Sequence, residues 1–231
     1  MNDLQRLKEE YANRQARFAH HNIYSWFNAA NLFMIQQRQR ALLSALKRQG
    51  IQDLSDKKIL EMGCGAGGVL AEFLSFGAMP KNLYGLDILP ERLREARQRL
   101  PASHLLNAEG SRIPFPACSF DIVLQFTALS SILDDKLRME IAKDMRRALK
   151  PNGVIIWYDF WLNPTNPQTH GIRLNEIRRL FPEGVIHARK ITLAPPITRR
   201  LAPISWMLAF MLEKMTLFNS HYLALIAYPK P

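Results

Sequence analysis

A chain of 231 residues with 48% hydrophobic and 22% charged residues has the make-up of a soluble protein, long enough for one α/β domain with a full core. Its two cysteines, Cys64 and Cys118, have no paired spacing, which argues against a disulfide framework or a metal site and for a reducing, cytoplasmic setting. The net charge of +11 is uneven: residues 1–50 hold 8 Lys+Arg against 3 Asp+Glu, residues 51–159 hold 14 of each, and residues 160–231 hold 9 against 3. The basic excess in the two flanks suits solvated helix faces, an anionic substrate, nucleic acid or a membrane surface. The charged beginning of the chain shows no apolar stretch of a secretory signal. The longest apolar run, around Met207 to Leu212, meets Glu213 and Lys214 and is too short to span a bilayer.

In chain order, residues 1–50 read as helical. Leu4, Leu7, Tyr11 and Phe18 fall near one face, Met34, Ile35, Leu42, Leu43 and Leu46 near another, and Gly50 is a natural stop. Strand patterns then recur at Lys58–Met62, Leu83–Asp87, His104–Asn107, Ile122–Gln125 and Val154–Asp159. Between them lie helix patterns at Gly67–Phe76, Pro90–Leu100 and Asp134–Leu149, and Lys150-Pro151-Asn152-Gly153 reads as a turn. This alternation predicts a mostly parallel sheet covered by helices on both faces. Beyond a Pro/Asn-rich loop, a short helix is expected at Leu174–Phe181 and a strand at Val185–Leu193. An apolar stripe follows through Ile197, Leu201, Ile204, Leu208, Met211, Met215 and Phe218, broken near Pro203, and a last strand runs over His221–Tyr228. The stripe is expected to pack on the domain, with membrane contact through Arg199, Arg200 and Trp206 as the alternative.

The segment Lys57-Lys58-Ile59-Leu60-Glu61-Met62-Gly63-Cys64-Gly65-Ala66-Gly67-Gly68 reads as a buried strand running into a glycine loop that opens a helix. Gly63, Gly65 and Gly68 satisfy the dinucleotide pattern, and Asp87 ends the second strand about twenty residues on, where an acid accepts ribose hydroxyls. Glu61 is out of place beside a pyrophosphate, because its carboxylate would repel phosphates but would hold an ammonium. None of the six tyrosines has a lysine four positions on, and no Gly-Lys-Ser/Thr follows the loop.

Glu61-x-Gly63-x-Gly65-x-Gly67, Gly85-Leu86-Asp87, Ile113-Pro114-Phe115-Pro116, Ser119-Phe120-Asp121-Ile122-Val123 and Leu149-Lys150-Pro151-Asn152-Gly153 resemble, in order and spacing, the motifs of class I S-adenosylmethionine-dependent methyltransferases. The resemblance covers roughly residues 55–160. It implies a Rossmann-like, mostly parallel seven-stranded sheet in a single domain over residues 1–231. Residues 1–50 would form a helical lid, 51–160 the cofactor-binding core, and 161–231 an acceptor-side cap with edge strands, its helices inserted before the last strand. It also implies S-adenosylmethionine as cofactor and S-adenosylhomocysteine as product, with no metal. Gly63, Cys64, Gly65 and Gly67 would approach the methionyl part, Glu61 its amino group, Asp87 the ribose and Ile88 the adenine. Glu109 would accept from the adenine amino group, Gly110 would offer a backbone N–H, Gln125 would face the methionyl side, and Tyr24 would close over the cofactor. Where many relatives carry a His-His pair after the fourth strand this chain has Ser130-Ser131, which puts a base from that position in doubt.

Candidate groups near the transferred methyl are Tyr158 and Asp159 at a strand end, and His20 in the first flank; His21 and His170 are further possibilities. The expected acceptor is a small molecule, anionic or lipid-linked, methylated at a hydroxyl oxygen mainly through proximity and orientation. An RNA acceptor, or an accessory subunit without turnover, are the alternatives. RNA is disfavoured because no RNA-binding module is recognisable and Gln125-Phe126-Thr127-Ala128 replaces the Asn/Asp-Pro-Pro-aromatic motif of base-methylating enzymes. The motifs say nothing of oligomeric state.

Overall fold

The structure, a computed structural model, describes residues 5–11, 22–163 and 166–228. Strands β1 (Ile59–Met62), β2 (Leu83–Asp87), β3 (His104–Asn107), β4 (Phe120–Phe126), β5 (Leu149–Phe160), β6 (Val185–Leu193) and β7 (Asn219–Ala227) form one seven-stranded sheet in the order β3-β2-β1-β4-β5-β7-β6. Strands β1 to β5 are parallel, and β7 runs antiparallel to both β5 and β6. The order reverses between β1 and β4, which opens a crevice beyond their carboxyl ends.

Side-chain alternation divides the core into two layers. Ile59, Ile122, Leu124 and Ile156 face α1 (Ala29–Arg48), α2 (Gly68–Ser75) and α3 (Pro90–Arg99). Leu60, Val123, Ile155 and Trp157 face α4 (Asp135–Ala148) and α5 (Leu174–Leu180). Local chemistry sets the helix ends. Asn28 caps α1 by accepting from the N–H groups of Ala30 and Asn31, Pro90 opens α3, and Asp134 caps α4 by accepting from Lys136 and Leu137.

Three expectations need correction. The first flank is not one continuous helical run: Asn22–Tyr24 is a 3-10 turn, and α1 starts afresh behind its Asn28 cap. Its buried face is Phe33, Gln37, Ala41, Leu42, Ala45 and Leu46, whereas Leu43 is exposed. Lys150–Gly153 belongs to β5, which bends at Asn152 (φ 64°) rather than beginning after a turn. Leu4, Phe18, His20 and His21 lie outside the described residues.

The third correction concerns the apolar stripe. It folds as α6 (Pro195–Leu201) and α7 (Trp206–Lys214), divided at Pro203 and inserted between β6 and β7. Ala202 and Ala209 pack on Ala30, Phe33 and Leu193, yet Ile204 is 82%, Leu217 77% and Met207 74% exposed. Helical spacing marks a helix but not which face is covered. In α7 the apolar residues run all round, and the domain covers only the Ala209 side.

Candidate active site

At the carboxyl end of β1 the chain turns through Gly63 (φ 67°), Gly65 (φ 52°) and Gly67 (φ 73°) before α2 begins at Gly68. A Cβ on Gly63 would lie 2.7 Å from the Cβ of Ala128, and one on Gly67 would lie 2.8 Å from a methyl of Leu100. The loop is thus pressed between the residues after β4 and the end of α3, in a backbone conformation that glycine adopts without strain. It forms one wall of a cleft of about 730 Å³ at the β1/β4 reversal, a size common for small-molecule sites.

Two carboxylates face this cleft. Asp87, 8% exposed, accepts from the Gly65 N–H at 2.7 Å and from the Leu89 N–H at 2.9 Å. Glu61, 2% exposed, has a buried oxygen, Oε2, with no hydrogen-bond partner. Burial, and after it the charge of Glu72, push the Glu61 carboxyl well above the usual carboxylate range, while Arg38 opposes the shift. A buried acceptor left unpaired is costly. Glu61 also lines the cleft, so a cationic group entering there and reaching this oxygen would relieve it. The fit to S-adenosylmethionine rests on this point: an ammonium suits Glu61, ribose hydroxyls suit Asp87, and the loop offers backbone without side chains.

Cys64, Ile88, Glu109, Gly110 and Tyr24 also line the cleft. Cys64 is buried, and a Cβ on Gly85 would stand 2.7 Å from its Sγ, so the thiol plugs the loop from below. Glu109 and Tyr24 are exposed at the rim.

Four predicted residues do not line the cleft, and one of them, Gly67, is turned against Leu100 and Ala96 of the neighbouring helix end. Gln125 is fully buried and donates to Asp159 instead of facing the methionyl side. Asp159 lies behind the cleft wall and also accepts from the backbone N–H groups of Ser130 (3.0 Å) and Phe160 (2.8 Å). Burial raises its carboxyl to about 6, against hydrogen bonds that pull the other way. Tyr158 points into the α1 layer, bonds Thr192 Oγ1 at 2.9 Å and stacks on His221 at 4.6 Å. Strand alternation sends neighbours to opposite faces, so being near a strand end does not by itself turn a side chain into the crevice. His170 is exposed and paired with Glu176 at 3.0 Å.

Other lining residues carried no recognisable motif. Arg38 of α1 enters the cleft wall, paired with Glu72 of α2 and lying 5.5 Å from the ring centre of Tyr158. Arg92 packs against Gly65. Thr127 (φ 54°) turns the chain after β4, its N–H bonded to the Tyr158 carbonyl at 2.8 Å. Leu7 and Tyr11 close one side, and their segment is anchored by Arg6, which donates to the Ser131 carbonyl at 2.6 Å and to Gln168 at 2.9 Å. Position after β4, at the reversal, was the available signal for Thr127 to Leu129, and Ser130-Ser131 had in addition the motif position noted in the sequence.

The sheet order and the glycine loop define a Rossmann-like fold shared with S-adenosylmethionine-dependent methyltransferases of known structure. Residues 60–157 match the family model described as a methyltransferase domain. Among curated proteins, the chain is 32% identical over 130 residues to a phthiotriol/phenolphthiotriol dimycocerosates methyltransferase of Mycobacterium leprae, covering 55% of this chain and 46% of that protein. The Mycobacterium tuberculosis protein of the same name is 33% identical over 130 residues, with the same coverage of 55% and 46%. The chain therefore spans about half the length of these curated relatives. Among solved structures, the PH0226 protein of Pyrococcus horikoshii aligns with TM-score 0.61 at 15% identity, over 93% of this chain and 99% of that one. A TehB-like S-adenosylmethionine-dependent methyltransferase of Corynebacterium glutamicum aligns with TM-score 0.57 at 16% identity, over 96% and 97%. The geranyl diphosphate C-methyltransferase of Streptomyces coelicolor, solved with S-adenosylhomocysteine, aligns with TM-score 0.59 at 15% identity, over 81% and 76%. At these identities the structural likeness is one of fold. No helix among the described residues is long and apolar enough to cross a membrane.

Proposed function

We propose that this chain transfers the methyl group of S-adenosylmethionine to a hydroxyl oxygen of a small-molecule or lipid-linked acceptor, mainly by alignment and exclusion of water. When bound, the cofactor supplies an already activated sulfonium methyl. Glu61 holds its amino group through the otherwise unpaired Oε2, Asp87 accepts from the ribose hydroxyls, and Ile88 packs on the adenine. Glu109 and Gly110, which line the cleft, would meet the adenine edge, and Tyr24 would cover the opening. Leu129, Ile132, Leu137, Ile141 and Phe160 give the rest of the cleft an apolar wall suited to a hydrocarbon acceptor. The relatives that act on phthiotriol and phenolphthiotriol dimycocerosates, by their names, agree with such an acceptor.

Tyr158 and Asp159 are not assigned as bases, because both are turned away from the cleft into hydrogen bonds of their own. Asp159 instead acts as a positioning residue that fixes the Ser130 backbone at the cleft wall. His20 lies outside the described residues. The observation that carries the reading is the buried, unpartnered Glu61 oxygen at the glycine end of the cleft. Calorimetry with S-adenosylhomocysteine tests the site: wild-type protein should bind and Asp87→Ala should lose binding, whereas equal affinities would overturn the assignment. Labelled methyl transfer to a cell-extract acceptor, with the product read by mass spectrometry, tests turnover. Cofactor binding with no transfer to any acceptor would mark an accessory subunit instead.

A further inference from the structure

Outside the cleft, the largest uncompensated feature is the α6–α7 face. Met207, Phe210, Met211, Met215, Ile204 and Leu217 are all exposed, within fifteen residues of chain. Single exposed apolar residues need no explanation, but a cluster of this kind on one short excursion marks a surface that something covers. The cover is further defined by charge. Arg199 and Arg200 are exposed on α6, and among the described residues neither pairs with a carboxylate. Lys214 stands 4.6 Å from the Phe210 ring centre, while the acid next to it, Glu213, is taken up by Arg40 at 3.1 Å. The apolar face is therefore bordered by cations. A second copy of a chain carrying +11 would bring the same cations against themselves, whereas an anionic surface would be attracted.

The face also connects to the cleft. Trp206 packs edge-on against Phe33 of α1 at 5.4 Å, so the start of α1 is seated on α7. Just before α1 lie exposed Trp26 and Phe27, and two residues further back Tyr24 lines the cleft mouth. Trp at a boundary between apolar and polar phases, with flanking Arg and Lys, is the composition of a segment lying in a bilayer interface.

We infer that the α6–α7 face, together with Trp26 and Phe27, docks on an anionic lipid bilayer, with α7 in the acyl boundary and Arg199, Arg200 and Lys214 against lipid phosphates. Docking in this way sets the cleft mouth near the membrane surface, where a lipid-linked acceptor is held. The inference rests on the methyl-transfer reading only for that consequence.

Vesicle flotation with the full chain tests it, using equal parts phosphatidylglycerol and phosphatidylcholine against phosphatidylcholine alone. The protein should float with the mixed vesicles and far less with the neutral ones. Met207→Glu combined with Met211→Glu should lower binding by about tenfold or more. Arg199→Ala combined with Arg200→Ala should lower it about 30-fold, on the scale of one phosphate-facing cation each. These residues are exposed, so thermal unfolding and S-adenosylhomocysteine binding should stay at wild-type values. Failure to float with anionic vesicles, equal flotation with neutral ones, or undiminished binding of both double variants would each overturn the inference. So would sedimentation showing a stable dimer that Met207→Glu dissolves. Flotation without methyl transfer would leave the docking intact and sink only the acceptor reading.

Discussion

The glycine loop and the α6–α7 excursion are both left incomplete by folding, in opposite senses. At the loop a carboxylate oxygen of Glu61 is buried without a partner; at α7 large apolar side chains stand in water without cover. The first is a polar group on the dry side of the boundary and the second an apolar group on the wet side. Each is unfavourable in the chain alone. Each also names what would compensate it: a small cation at the loop and an apolar phase with a negative rim at the excursion. The core between them is sealed from solvent by Leu60, Phe73, Ile155 and Trp157.

This contrast breaks if the loop is an ordinary polar surface. Asp87→Ala should then leave S-adenosylhomocysteine affinity unchanged; we expect calorimetry to show a loss of about a hundredfold or more, roughly 3 kcal/mol, for hydrogen bonds to a charged acceptor.

The sheet joining the two regions gives the next effect. Burial, aided by the charge of Arg38, pushes His221 down to about 3. A depressed histidine gives its full stability above the unfolded value of about 6.5 and loses it as the pH falls toward 3. At pH 4.5 the loss is about 2–3 kcal/mol. His221→Phe keeps an aromatic ring against Tyr158 but has nothing to protonate, so denaturant unfolding at pH 7 and pH 4.5 should show a smaller acid loss by that amount.

Glu61→Gln sharpens the contrast at the loop itself. A carboxyl raised by burial gives full stability below its unfolded value and loses stability as the pH rises through the folded one. The variant should therefore melt higher than wild type at pH 7, with the gap closing in acid, while S-adenosylhomocysteine affinity falls about tenfold as a charged acceptor becomes neutral. A variant that melts lower and binds equally well would show that Glu61 is structural. The smallest effect belongs to the excursion: Met207→Ser should change unfolding free energy by no more than about 0.5 kcal/mol, because the side chain packs on little. A larger loss would mean that α7 holds the fold together.

The core was legible because its local rules agree with its global ones. Glycines at 63, 65 and 67 take left-handed backbone, Pro90 opens a helix, Asp134 caps one, and the parallel run of β1 to β5 follows from the alternation. The reading failed where a side chain's direction depends on distant partners. Asp159 is turned by Gln125 and Ser130, which come from β4 and the turn after it. Arg38 reaches the cleft because Glu72 on another helix receives it. The stripe through Ile197 and Phe218 showed where helices form, but periodicity alone does not say what lies opposite, and α7 meets the domain through Trp206, Ala209 and Leu212 while Met207 and Met211 stay exposed.

The position of β7 has a consequence for how the chain assembles. It pairs with β5 on one side and β6 on the other, so β6, although earlier in sequence, has no place in the sheet until Asn219–Ala227 arrive. During folding or synthesis β5 therefore presents an open edge, and β6 with the α6–α7 excursion trails behind it as an unattached arm. Exposed edges of this kind are where chains pair wrongly with one another. A kinetic delay at this step, before the seventh strand inserts, is when the molecule is most open to aggregation.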